Sequence, residues 1–75
     1  MKFKKLKDWT VKDFIRTNEE IEHLNERIDR LLERDDLDEG ELDRRLDMLM
    51  WDRYDKKVKM NRARLIIKKQ REKNN

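Results

Sequence analysis

From Phe14 onward, apolar residues recur at a helical interval. Phe14, Ile21 and Ile28 take one seam position, while Thr17, Leu24 and Leu31 take the other, with Thr17 the polar member. Heptad spacing of this kind turns one stripe of a helix toward a partner helix. The pattern predicts a first helix over residues 10–35. Its start carries cap chemistry: Thr10 stands at the N-cap, Asp13 three residues on, and Trp9 is placed to close on Phe14 as a hydrophobic staple. The same device recurs with Asp38 as N-cap, Glu41 three residues on, and Leu37 facing Leu42. A second helix over residues 38–71 follows, with no proline or glycine after Gly40 to break it. The connection from Asp35 to Leu37 is short enough to demand antiparallel neighbours. The expected fold is all-α, an antiparallel hairpin of two long helices with a basic arm at residues 1–9 and a polar tail at residues 72–75, forming one small domain.

The second helix is apolar on two faces. At 100° per residue, Leu42, Leu46, Leu49, Met60 and Ile67 share one side, and Trp51, Val58 and Leu65 share nearly the opposite one, flanked by Met48, Tyr54 and Ile66. The first side serves the hairpin. The second, with Trp51, Tyr54, Val58 and Leu65, is the candidate partner-binding surface, because Trp and Tyr supply large rigid contact area. Two occupants compete for it. Phe3, Leu6 and Trp9 in the arm could fold back over it, or an intermolecular contact could cover it, most simply a homodimeric four-helix bundle.

Composition narrows the class. Among 75 residues only 35% are hydrophobic and 52% are charged, which limits the core the chain can enclose. The helical periodicity separates it from disordered chains of similar composition. There is no cysteine, so neither a disulfide framework nor a thiolate metal site is expected, and a reducing setting fits. No run is long and apolar enough to span a membrane, and the lysine-rich start lacks the apolar stretch of a secretion signal. The expectation is a cytoplasmic protein with no membrane contact.

Charge falls in three blocks. In residues 1–12 five lysines against Asp8 give +4; in residues 13–55 seven arginines against sixteen carboxylates give −9; in residues 56–75 nine cations against Glu72 give +8. A hairpin gathers the two basic blocks at its open end and puts the acidic turn at the other. The basic end supplies a candidate surface for nucleic acid or acidic protein, formed by Lys4, Lys5, Lys7, Arg62, Arg64, Lys68, Lys69 and Arg71. No helix-turn-helix spacing, aromatic base platform or zinc pattern accompanies it. The plainer account is cations favourably placed near a helix C-terminus.

Other chemistry is sparse. The acidic turn has its glycine at the fifth place from Asp36, whereas a calcium loop needs it sixth, and Asp38 and Glu41 already serve a cap, so no metal site is expected. His23 is the one histidine, and there is no serine or cysteine for it to activate, so neither catalytic residues nor cofactors are expected. The strings Ile21-Glu22-His23-Leu24 and Leu46-Asp47-Met48-Leu49-Met50, with Tyr54 downstream, resemble the sporulation-associated aspartyl-phosphate phosphatases, small helical hairpins whose second helix carries Ser-Gln-x-Leu-Asp. The corresponding residues here are Asp43, Arg44, Arg45, Leu46 and Asp47, so the Ser and Gln are absent. The resemblance covers about half of the chain and implies a hairpin fold, with Asp47 as its carried-over functional residue.

The function expected from sequence is non-catalytic regulation by binding. The chain would act as an inhibitor or adaptor, of the kind phages and mobile elements encode, docking on a larger protein or a nucleoprotein machine such as a nucleic-acid-guided nuclease. The alternatives are a direct nucleic-acid binder using the basic end, a homo-oligomeric structural protein, and a phosphatase-like hairpin.

Overall fold

The computed structural model describes residues 5–74, so Lys2, Phe3 and Lys4 lie outside the described residues. It is an all-α hairpin. A 3-10 turn at Leu6–Asp8 precedes helix α1 at Val11–Leu32, and helix α2 runs from Glu39 to Asn74. The two helices pack against each other, and the 3-10 turn packs against α2. At a rise of 1.5 Å per residue α2 is about 54 Å long, which accounts for the 57 Å long axis of a molecule only 25 and 18 Å across. No helix among the described residues is long and apolar enough to cross a membrane.

Both helix starts follow their caps. Thr10 and Asp13 form a reciprocal capping box, in which Thr10 N donates to Asp13 Oδ2 at 2.7 Å. Asp13 also accepts from Arg16 Nη2 at 3.0 Å, so its buried carboxylate is fully engaged. The Trp9 and Phe14 rings meet edge-on with centroids 5.2 Å apart, closing the expected staple. At α2, Glu41 N donates to Asp38 Oδ1 at 2.7 Å. The Glu41 carboxylate accepts from Arg45 Nε at 3.0 Å, one turn on, so this cap is one-sided.

The boundaries differ from the spacing-based ones by a few residues. Helix α1 stops at Leu32 rather than at residue 35: the amides of Glu33 and Arg34 close the last turn onto the carbonyls of Asp29, Arg30 and Leu31. Arg34 then forks onto Asp36, with its Nε and Nη2 at 3.0 and 2.7 Å from the two carboxylate oxygens. Successive carboxylates at Asp35 and Asp36 oppose the negative end of the helix dipole, and the fork holds the chain in a turn. Helix α2 continues past residue 71 to Asn74, because no residue there breaks it.

The core is lopsided. Ile21, Leu24, Ile28 and Leu31 of α1 are buried, each contributing about 1.5–3 kcal/mol by area transfer, while among the described residues of α2 only Ala63 is buried. Leu42, Leu46, Leu49, Met60 and Ile67 are half-buried. This follows from the two patterns, one narrow stripe on α1 against apolar residues spread around α2. Between Leu49 and Met60 the facing positions of α2 are Arg53 and Lys56. Arg53 Nη1 donates to Asn25 Oδ1 at 2.7 Å, and Lys56 Nζ lies 3.3 Å from both Glu20 Oε2 and Asp52 Oδ1. Half-burial works against the Lys56 charge, but the hydrogen bonds and charges of Glu20 and Asp52 outweigh it and leave its pKa raised. These two cross-links fix the register. Extended along the pair, they bring Phe14 level with Ala63 and Val11 level with Ile66.

Candidate partner-binding surfaces

The hairpin leaves Val11, Ile15 and Leu32 of α1 exposed singly, and three further surfaces group uncovered residues together. The outer face of α2 carries the first: Trp51, Tyr54 and Leu65 are 69%, 61% and 58% exposed, and Met48 and Met50 are also exposed. Val58 is half-buried. Trp51 and Tyr54 stand edge-on with centroids 5.9 Å apart, a geometry in which the positive edge of one ring meets the negative face of the other. The arm packs against α2, yet its described part leaves these two rings and Leu65 open to solvent.

A second surface lies at the open end. There Phe14, Met60 and Ile67 floor a groove of about 400 Å³ whose rim is Arg64, Lys68 and Arg71. The floor exists because α1 begins beside the middle of α2's basic half, so the Phe14 ring is left half-buried at the end of the helix pair. The rim cations are exposed, as are Lys5, Lys7, Arg62 and Lys69. Lys56 and Lys59 bind carboxylates, whereas among the described residues no carboxylate lies within 4.0 Å of Arg62, Arg64, Lys68, Lys69 or Arg71. The structure thus brings Arg64, Lys68 and Arg71 together around apolar residues. Lys4 lies outside the described residues.

The third surface is one that block charge does not predict. At the turn end, which formal charge marks as acidic, Arg27, Arg30, Arg34 and Arg45 surround Leu31, Met48 and Leu49 in a groove of about 310 Å³. The signal is present in the sequence, since Arg27 and Arg30 on α1 and Arg34 just past its end recur at helical spacing. Block charge averages it away. Arg34 and Arg45 are already tied to Asp36 and Glu41, which leaves Arg27 and Arg30 as its uncommitted cations.

Asp47 sits on the exposed outer side of α2, beside Met50, Trp51, Arg53, Tyr54 and Lys57. His23 is exposed on α1, across a shallow groove from Asp52 and Lys56. No family model, characterised protein or solved structure matches this chain.

Proposed function

We propose that the chain is a small non-catalytic binding protein, an inhibitor or adaptor, whose basic open end docks on an acidic segment of a larger protein or nucleoprotein assembly. The observation that carries this reading is the groove of Phe14, Met60 and Ile67 rimmed by Arg64, Lys68 and Arg71, cations for which the described residues supply no carboxylate. An apolar floor inside a cationic rim suits a segment that inserts an aliphatic or aromatic side chain and presents carboxylates around it. A bare duplex would use the rim but leave the floor unfilled.

The test is capture of partners by the tagged protein from its native cells, with and without nuclease, followed by titration of the purified partner. A stoichiometric protein that survives nuclease, and whose affinity falls when Lys68→Glu and Arg71→Glu are combined and also when Met60→Asp removes the floor, supports the reading. Recovery that vanishes with nuclease, or binding that is steeply salt-dependent and indifferent to Met60→Asp, overturns it in favour of direct nucleic-acid binding.

A further inference from the structure

The outer face of α2 is distinct from the groove. Taking Trp51, Val58 and Leu65 as its centre line, Asp43, Arg44, Asp47, Tyr54, Arg62, Lys69, Glu72 and Lys73 all fall within about 60° of it at 100° per residue, whereas the groove residues Arg64, Ile67, Lys68 and Arg71 lie roughly 80° or more away. Two properties of this face point to the same occupant. Its apolar residues are symmetric about Val58, with Trp51 one heptad before and Leu65 one heptad after. Its outer charges are antisymmetric about the same residue, so that Asp47 and Arg44 before Val58 are matched by Lys69 and Glu72 of opposite sign at equal distances after it.

We infer that a second copy of this chain covers this face, with the two α2 helices antiparallel and the two-fold axis passing beside Val58. In that register Trp51 faces Leu65 of the second copy and Val58 faces Val58. Tyr54 faces Arg62, an arrangement suited to a guanidinium over an aromatic ring. Further out, Asp47 comes opposite Lys69 and Arg44 opposite Glu72. Every outer pair is of opposite sign, including the one formed by Glu72, the single carboxylate of the basic block. By symmetry each pair occurs twice.

Neighbouring registers lose this match. Sliding the second copy by a heptad puts Leu65 opposite Arg44 in one direction and Trp51 opposite Glu72 in the other. Sliding by three or four residues sets Asp47 against Glu72, or Leu65 against Asp47. A parallel pair sets Asp47 against Asp47 and Lys69 against Lys69, which costs free energy through like-charge contact. The dimer also meets a need of the monomer, since a chain of this size with a lopsided core gains from association. The Trp51, Tyr54 and Leu65 side chains, open in the hairpin, are the area it would bury.

The experiment uses the full chain. Sedimentation equilibrium at micromolar concentration is expected to give twice the chain mass, and Trp51→Glu is expected to give the monomer mass with an unchanged helical circular-dichroism spectrum. Asp47→Lys alone is expected to weaken the dimer at least about tenfold, because one substitution reverses two pairs, and adding Lys69→Asp to the same chain is expected to restore it. The absence of cysteine allows a direct check of register: Val58→Cys should oxidise to a disulfide-linked dimer, and Trp51→Cys should cross-link with Leu65→Cys in a mixture but not with itself. A wild-type chain that stays monomeric to about 1 mM, a dimer indifferent to Trp51→Glu, or Trp51→Cys cross-linking with itself would each overturn the proposal. The groove is not part of this interface, so failure here leaves the docking reading standing and the converse also holds.

Discussion

Arg53 takes a place on α2 where an aliphatic residue would have continued the seam. Its guanidinium is half-buried and finds Asn25 Oδ1 at 2.7 Å. A half-buried charge that loses its partner costs more than the pair contributes. Asn25→Ala is therefore expected to lower stability by about 1 kcal/mol in urea denaturation, whereas Arg53→Leu is expected to be neutral or stabilising. What the leucine would remove is the polar contact that fixes how the two helices slide, visible as broader amide resonances along α1 and α2. The Arg34–Asp36 fork supplies the pH-dependent residue contact. Hydrogen bonds from Arg34 first, and a backbone hydrogen bond next, hold the Asp36 carboxyl below its ordinary 3.8. Because the folded pKa is lowered, the stabilisation is fully present above about pH 3.8 and is lost as pH falls through the lowered value. The protection of amides in residues 33–38, relative to their intrinsic exchange at the same pH, should fall over that interval in the wild type, and Asp36→Asn should show the lower protection above it as well. Of these contacts, the Thr10, Asp13 and Asp38 caps were legible in the sequence because a cap is written within four residues. The Arg53–Asn25 bond was not, since it joins residues far apart in the chain and depends on a register that the seam alone leaves free.

At the scale of the element, the two helices differ in how completely sequence defines them. On α1 the seam Thr17, Ile21, Leu24, Ile28 and Leu31 is buried as spacing predicts, with Phe14 half-buried at its open end. Spacing carries its last turn to residue 35, past the observed end at Leu32, because Glu33 to Asp36 hold no strong stop signal and a turn held by an Arg34–Asp36 fork resembles a continuing polar helix in sequence. On α2 the two apolar faces were legible, but which residue would be sealed was not. Ala63, the smallest apolar residue there, is the one wholly buried among the described residues of α2, because it comes level with Phe14 on the side of α2 that meets α1. Ala63→Leu is accordingly expected to cost about 1–3 kcal/mol through overpacking, measured by thermal melting. Gly40 in the first turn of α2 is the opposite case. A Cβ there would have its nearest neighbour, Asp38 Oδ1, at 3.5 Å, and its φ is not positive. Gly40→Ala should stabilise the protein by about 0.5–1 kcal/mol, by restricting the unfolded chain and favouring helix without disturbing the Asp38 cap.

For the molecule as a whole, the polarity seen in formal charge and the polarity of its free surface are not the same. The turn end carries most of the carboxylates, yet Arg34 and Arg45 hold two of them and a groove of arginines opens among them. At the open end the cations outnumber what the hairpin can pair. If two copies join through α2 about Val58, each groove, centred near Ile67, lies about 13.5 Å along the helix from the two-fold axis, so the two are offset by about 27 Å along the helix direction and open on opposite sides of the pair. Self-association and docking then reinforce each other, because a partner with two acidic segments would meet both grooves and gain avidity. The same arrangement couples stability to concentration, since only the folded chain presents the α2 face. With an unfolding entropy of about 2.1 cal/mol/K per residue over two chains, a tenfold rise in concentration should raise the melting temperature by about 4 °C. Trp51→Glu should melt at one temperature across the same range. Lys68→Glu with Arg71→Glu should keep the concentration dependence and lose the partner, because those side chains face the groove and leave the α2 contact untouched.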